Sequence, residues 1–135
     1  MEAKEKEIFD NFVKALKGIP DINVEAGLSH FSGIENIYYQ EVSLFRKKLV
    51  AECDKMSALL ECKDWKSFVV AVHSMKTSLA TLGMITLSNM AAKLEAAARN
   101  ENIDYCSEHF PILNKNLLSL HEQLSIAFPD EGVLQ

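Results

Sequence analysis

The chain has 135 residues, with 14 Lys and Arg against 19 Asp and Glu, so its formal charge is −5 at pH 7. A single domain of this length can bury a hydrophobic core without disulfides or a metal. Its basic residues are scattered among acidic ones, whereas a nucleic-acid surface needs a basic stripe to neutralise phosphates. We therefore expect neither DNA nor RNA to be the main partner.

The first predicted element is an amphipathic helix over residues 2–17. Apolar residues that recur at intervals of three or four lie on one face of a helix, and here they are Ile8, Phe9, Phe12, Val13 and Leu16. Gly18 and Pro20 end this helix, because glycine suits a left-handed cap and proline cannot continue the helical hydrogen bonds. A short helical turn is predicted over residues 24–31, with Asn23 as its N-cap.

Four longer helices are predicted to follow, because apolar residues repeat at helical spacing over each of them. They cover residues 35–61, 64–82, 84–99 and 103–127. Asp64 is placed to cap the second of these helices, and Gly83 ends it. Pro111 falls inside the last helix, so that helix should kink there or begin only after it.

The predicted fold is all-α: an antiparallel up-and-down four-helix bundle with an additional N-terminal helix that packs across one end. Short connections between long amphipathic helices make consecutive helices antiparallel. The chain is expected to form one domain, with the N-terminal helix in residues 1–18, the bundle in 19–127 and a tail in 128–135.

The motifs of several enzyme classes are missing from the sequence. His121 and Glu122 begin like the HExxH zinc motif, but Ser125 occupies the position of the second histidine, so no metal site is expected. The sequence has neither a Gly-rich nucleotide loop nor the GxSxG turn of serine hydrolases. We therefore expect neither ATP-dependent self-phosphorylation nor a cofactor of the chain's own.

His73 differs from the other histidines in its surroundings. It lies in the middle of the 64–82 helix, one position after the inward Val72, and a step of about 100° per residue turns it toward solvent. Lys76 and Thr77 lie one turn further on. A cation at that distance disfavours the protonated ring and can pair with a phosphoryl group bound to it. On these features alone, an ordinary histidine at the edge of the core is the more common interpretation.

The segment around His73 follows a known pattern. Residues 72–83 read Val-His-Ser-Met-Lys-Thr-Ser-Leu-Ala-Thr-Leu-Gly. This segment resembles the His-x-x-Lys-Gly signature of histidine phosphotransfer (HPt) domains, in which small and apolar residues and a second glycine follow. The next helix, with Leu94 and Glu95 before its final alanines, is similar to the following helix of that family. The resemblance extends over residues 19–125 and implies that His73 carries a phosphoryl group.

The resemblance also implies roles for the residues around His73. Lys76 would be its electrostatic companion, and Gly83 would end the helix. A partner would dock on the same helix, at Val69, Val70, Ser74, Thr77, Ala80 and Thr81. Thr77 stands where the family has its first glycine, and its side chain could narrow the choice of partner or donate a hydrogen bond to the phosphoryl group.

A member of this family would accept a phosphoryl group on His73 from a receiver-domain aspartate and pass it to another receiver in a two-component phosphorelay. Its partners would be response-regulator receiver domains and a sensor or hybrid histidine kinase, and Mg²⁺ would be bound by the receiver. The chain is expected to act as a monomer. Two alternatives stay open: a helical docking module that is never phosphorylated, and the histidine-bearing domain of a larger histidine kinase.

The cysteines and the N terminus bear on the compartment. Cys53, Cys62 and Cys106 are odd in number and form no CxxC pair, which is typical of free thiols in a reducing compartment. The first residues are charged, and no apolar run approaches the roughly 18 residues of a membrane span. We therefore expect a cytoplasmic protein without membrane contact.

Overall fold

A computed structural model describes residues 3–128 of the chain. This range contains six helices joined by short connections. They are α1 (Ala3–Lys17), α2 (Val24–Ser29), α3 (Glu35–Glu61), α4 (Trp65–Thr81), α5 (Ile85–Arg99) and α6 (Ile103–Ala127). The only strand-like pairing in this range is an isolated bridge between Ile22 and Met84. The all-α prediction is confirmed, and each helix begins and ends within two residues of its predicted bounds. Within residues 3–128, no helix is both long and apolar enough to cross a membrane.

Helices α3 to α6 form the four-helix bundle. Each packs against two neighbours in a closed ring, in which α3 contacts α4, α4 contacts α5, α5 contacts α6 and α6 contacts α3. The connections are residues 62–64, 82–84 and 100–102, and such short links make consecutive helices antiparallel. Most residues of the inward stripes that helical spacing predicted are buried and form one core, with Val42, Leu49, Met56, Phe68, Val72, Leu79, Ala91, Leu94, Leu113, Leu117 and Leu124 among its members. Seven others are partly buried and pack against this core: Phe45, Leu59, Leu60, Trp65, Val69, Leu87 and Met90.

Pro111 lies inside α6, which begins before it at Ile103 and continues past it to Ala127. Of the two expected outcomes, a kink at Pro111 or a start after it, the second is therefore wrong. A proline inside a helix leaves the carbonyl four residues earlier without its usual donor. Here Pro111 and Ser107 are both exposed, so water can bind the Ser107 carbonyl at little cost.

Helix α1 packs on α3 and α6 through an aromatic cluster of Phe12, Tyr39 and Phe128. The Phe12 ring lies 4.8 Å from Tyr39 and 5.0 Å from Phe128, and the Arg46 guanidinium stands over Phe128 at 5.2 Å. These contacts join the beginning of α3 to the end of α6, so α1 covers one end of the bundle as predicted. Phe128 was expected to be the first residue of the tail, but it is buried and belongs to the core. The rest of that expected tail, residues 129–135, lies outside the described residues.

Three helices begin at an Asp or Asn side chain that accepts a backbone hydrogen bond. The Asn23 side chain accepts from the Ala26 amide at 3.0 Å, Asp64 from Ser67 at 3.2 Å and Asn102 from Tyr105 at 3.1 Å. Asn23 and Asp64 are thus N-caps, as the sequence predicted. Asp64 defines where α4, the helix of His73, begins.

The other end of α4 is held by Gly83 and the segment before α2. The Gly83 amide donates to the Ala80 carbonyl and the Met84 amide to the Leu79 carbonyl, a Schellman ending with Gly83 at a φ of +89°. The Asn23 amide donates to the Gly83 carbonyl at 2.8 Å. A Cβ on Gly83 would overlap the Asn23 carbonyl, so both the positive φ and this close approach require glycine.

Candidate functional site

His73 lies in the middle of α4 with 54% of its side chain exposed. Its neighbours Val72 and Met75 are buried, which fixes the face that α4 turns to the core. The predicted exposure of His73 is confirmed. The ring is thus carried on a rigid helix and is open to a partner.

A buried carboxylate faces this ring from the neighbouring helix. Glu95 lies on the inward stripe of α5, with Ala91 one turn before it and Ala98 one turn after, and only 7% of its side chain is exposed. The Ser88 hydroxyl donates to the Lys76 carbonyl at 3.0 Å and ties α5 to α4 one turn from the site. The packing of α4 on α5 therefore delivers the Glu95 carboxylate to the side of His73.

Glu95 is hydrogen-bonded to three side chains. His73 Nδ1 lies 3.2 Å from both Oε1 and Oε2 of Glu95. Lys76 Nζ lies 2.7 Å from Oε1. Arg99 donates to Oε2 from two atoms, Nη2 at 2.6 Å and Nε at 3.1 Å. The carboxylate is thus shared by two permanent cations and the imidazole.

The pKa of Glu95 is lowered from 4.5 to about 2. Burial raises this pKa, but hydrogen bonds from Lys76, Arg99 and His73 favour the ionised form and outweigh it. An ionised carboxylate can only accept hydrogen bonds, so His73 Nδ1 must be the donor. The hydrogen on Nδ1 leaves Nε2 of the neutral ring with a free lone pair. Within residues 3–128, Nε2 has no hydrogen-bond partner.

The sequence prediction of this site included Lys76 but missed Glu95 and Arg99. The signal for Glu95 was its place on an apolar stripe, where a carboxylate needs a partner. Arg99, four residues later on the same helix, is in reach of it. The sequence suggested that Lys76 acts on the ring as a single cation, but the structure shows that it is bonded to Glu95. The negative charge of Glu95 offsets the positive charge of its ammonium.

A comparison with protein-family models matches residues 40–126 to the Hpt domain. The matched range is more than half of the chain and contains α4 and α5. It therefore includes the whole Glu95 cluster, which consists of Glu95 and the three residues bonded to it, His73, Lys76 and Arg99. The chain belongs to the Hpt domain family. Hpt domains carry out histidine phosphotransfer in two-component systems, where they interact with receiver domains and histidine kinases. Searches of curated proteins and of solved structures found no match to the chain.

The surface of this Hpt domain contains a groove of about 450 Å³ between α3 and α4, the helix of His73. Four of the six predicted docking residues line it: Val70, Ser74, Thr77 and Thr81. Val69 and Ala80 are partly buried and do not line it. Val70 is 64% exposed, and Leu44 stands across the groove at 46%. The structure thus brings most of the predicted docking residues onto one surface with α3, which sequence reasoning had not included.

The Thr77 hydroxyl is used within its own helix. It donates to the His73 carbonyl at 3.1 Å, one turn back, and the Thr81 hydroxyl donates to Thr77 in the same way. Threonine in a helix commonly makes this bond to the carbonyl four residues before it. The Thr77 hydroxyl would therefore have to leave the His73 carbonyl before it could donate the expected hydrogen bond to a phosphoryl group.

The other histidines of the Hpt domain do not share the surroundings of His73. His30 Nδ1 bonds the Thr81 carbonyl at 3.1 Å, and His109 stacks on Tyr105 with ring centroids 3.8 Å apart. In the described range, no three His, Cys, Asp or Glu residues are grouped in a way that could hold a metal ion. Among the histidines, only His73 combines exposure with an ionised carboxylate at Nδ1.

Proposed function

We propose that this Hpt domain is a phosphorelay intermediate, in which His73 accepts a phosphoryl group from the aspartate of one receiver domain and passes it to another. One observation carries the proposal. The exposed His73 ring is hydrogen-bonded through Nδ1 to the buried, ionised Glu95, and its Nε2 faces away from any protein partner within residues 3–128. In the neutral ring, this arrangement presents the Nε2 lone pair to solvent as a nucleophile.

The proposed transfer balances without the loss of a proton. The Nε2 lone pair forms the N–P bond, the P–O bond to the receiver aspartate breaks, and its electron pair returns to that carboxylate. The ring keeps its hydrogen on Nδ1 and becomes a positively charged phosphorylated imidazolium. Glu95 stabilises this charge through the Nδ1 hydrogen bond, as a carboxylate does for the histidine of a catalytic triad. In the second transfer, a carboxylate oxygen attacks the phosphorus and Nε2 leaves with its electron pair.

Phosphoryl transfer depends mainly on positioning and on neutralising the phosphoryl oxygens. A receiver domain would supply Mg²⁺ and its own lysine, and this chain would need no cofactor of its own. On this side, Lys76 is the nearest candidate, since it follows His73 by one turn and already reaches the neighbouring carboxylate. The groove between α3 and α4, with Leu44 and Val70 exposed in its lining, gives a receiver a surface on the helix of His73. We propose that the domain acts as a cytoplasmic monomer in this exchange.

The test is transfer of labelled phosphate from isolated receiver domains charged with labelled acetyl phosphate. The parent should take up an adduct that is labile in acid and stable in base, as a phosphoramidate is. His73→Gln should fold and take up nothing, because Gln lacks a nucleophilic ring. His121→Gln, on α6, is the matched control and should behave like the parent. Uptake by His73→Gln at the parent's rate would refute the proposal, and a parent inert to every receiver would favour a docking module without phosphotransfer.

Lys76→Ala should slow the transfer without abolishing it, because a neighbouring charge forms no covalent bond. A charge-assisted contact is worth about 1.5–3 kcal/mol, and the 30% exposure of Lys76 places it at the lower end, about 10-fold in rate. Single-turnover rates with the same charged receiver measure this loss. A rate equal to that of the parent would mean that Lys76 does not contact the phosphoryl group.

A further inference from the structure

We infer that Arg99 is a positioning residue for phosphoryl transfer: it holds Glu95 against His73 while Lys76 leaves the carboxylate for the phosphoryl group. This inference rests on the proposed function, since it concerns what happens when His73 receives its charge. It assigns a separate task to each of the two cations that bind Glu95.

The two cations are attached to Glu95 in different ways. Lys76 makes one contact, from Nζ to Oε1 at 2.7 Å, through a flexible side chain on the helix of His73. Arg99 makes two contacts to Oε2, at 2.6 and 3.1 Å, from a planar guanidinium on the helix of Glu95 itself. A guanidinium loses less conformational freedom for each bond it forms than an ammonium does. Lys76 is therefore the cation that can exchange partners, and Arg99 the one that stays.

The charges of the cluster fit such an exchange. Two permanent cations bind one carboxylate, so the unphosphorylated site has a surplus of positive charge next to the nucleophile. A phosphoryl group on Nε2 carries close to two negative charges near pH 7. When Lys76 turns to it, Glu95 keeps the imidazolium at Nδ1 and Arg99 at Oε2, and a buried carboxylate that loses its partners is costly. The imidazolium forms only as the N–P bond forms, so Arg99 is the cation that holds Glu95 before and during the transfer.

Removal of Arg99 should therefore immobilise Lys76. In Arg99→Ala, Lys76 would be the only permanent cation left on Glu95 and would stay with it. The phosphoryl group would lose its partner on this domain, although Lys76 is still present. An ordinary exposed ion pair between residues four apart would have no such effect on the reaction, because it contributes little even to stability.

The experiment is a double-mutant cycle on the transfer rate from a receiver charged with acetyl phosphate. Contacting residues in one network are typically coupled by about 0.5–3 kcal/mol. We expect Lys76→Ala to slow transfer about 10-fold in the parent and only about 2-fold in Arg99→Ala, and Arg99→Ala alone to slow it about 5-fold. Arg99→Lys should restore part of the rate, because it returns a cation to Glu95. Arg99→Gln gives the same comparison if the alanine variant is unstable.

Lys93→Ala is the matched control, since it removes one exposed positive charge from the same helix, and it should leave the rate unchanged. Equal rates for Arg99→Ala and the parent would overturn the inference and leave the proposed function intact. Independent losses, in which the double variant is slowed by the product of the two single effects, would also overturn it. A parent that accepts nothing from any receiver would overturn both.

Discussion

Glu95 accepts hydrogen bonds from an imidazole, an ammonium and a guanidinium while only 7% of its side chain is exposed. Burial of an ion is tolerated because the three donors replace its water. One residue thus does two things for His73: it fixes which ring nitrogen carries the hydrogen, and it stabilises positive charge on the ring. The hydrogen bonding of the exposed histidine thus depends on a buried residue of the neighbouring helix.

The lowered pKa of Glu95 predicts a pH dependence of stability. A carboxyl whose pKa falls from 4.5 in the unfolded chain to about 2 in the fold stabilises the protein above about pH 4.5. That contribution is lost as the pH falls toward 2. Near neutral pH, we expect Glu95→Gln to lower the free energy of unfolding by about 2 kcal/mol, less than a fully buried pair would lose, because Arg99 and His73 are more than half exposed.

Urea denaturation at a series of pH values measures this effect. The difference between the parent and Glu95→Gln should shrink toward zero between about pH 4.5 and 2, since protonation removes the charge from the parent as well. Glu108→Gln, an exposed carboxylate on α6, is the control and should follow the parent. A Glu95→Gln difference that stays constant over this range would mean that the hydrogen bonds from Lys76, Arg99 and His73 do not lower the pKa of Glu95.

The C-terminal end of α4 depends on contacts with the segment before α2 and with α3. The Tyr38 hydroxyl donates to the Leu82 carbonyl at 2.9 Å in the interior, and the Asn23 amide donates to Gly83 at 2.8 Å. A Cβ on Gly27 would lie 2.5 Å from the Tyr38 ring and 2.6 Å from the Leu82 carbonyl. These close approaches keep the last turn of α4 in place, and with it the helix that carries His73.

Gly83→Ala tests this arrangement at the level of the element. The substitution puts a side chain at a φ of +89° and against the Asn23 carbonyl. A left-handed conformation costs a residue with a side chain about 1–2 kcal/mol, and the overlap adds about 1–3 kcal/mol. The free energy of unfolding should fall by about 3 kcal/mol in urea denaturation.

Gly33→Ala is the matched control. The φ of Gly33 is +72°, but no atom lies within 4 Å of an added Cβ, so the free energy of unfolding should fall by only about 1 kcal/mol. Similar losses at the two glycines would show that the approach of Asn23 is unimportant.

At the scale of the whole molecule, α1 and the end of α6 close one end of the bundle. Helix α1 lies outside the range that the Hpt family model matches, yet Phe9, Phe12 and Leu16 are buried in the same core as the four bundle helices. Phe12 is 2% exposed and contacts Tyr39 and Phe128. The N-terminal helix therefore shares one hydrophobic core with the four-helix bundle.

Phe12→Ala should destabilise the whole domain. Removal of a buried phenylalanine costs about 3–5 kcal/mol through lost burial and the cavity that remains. Circular dichroism and the fluorescence of Trp65, which lies at the start of α4, should report the same loss in a single urea transition. Lys14→Ala, on the exposed face of α1, should change the stability by less than about 0.5 kcal/mol. Two separate transitions would mean that α1 unfolds independently of the bundle.

Much of this fold is encoded locally. Apolar residues at helical spacing, with Asn23, Asp64 and Gly83 at helix ends, predicted the helices and the exposed face of His73. These signals act over one or two turns of chain, so they are readable without knowledge of the tertiary structure. The match between predicted and observed helix bounds has this physical origin.

Other features depend on how distant segments pack. Glu95 meets His73 across 22 positions of sequence, and their contact depends on the register between α4 and α5. Phe128 is buried because α1 packs against the end of α6. The groove exists because α3 lies beside α4. Helical periodicity predicts which face of a helix turns inward but not which residue of the next helix it meets. The sequence by itself predicted the exposed histidine and the helix that carries it, whereas the tertiary structure decided its hydrogen-bonding partners, because side-chain contacts between helices arise only when the bundle closes.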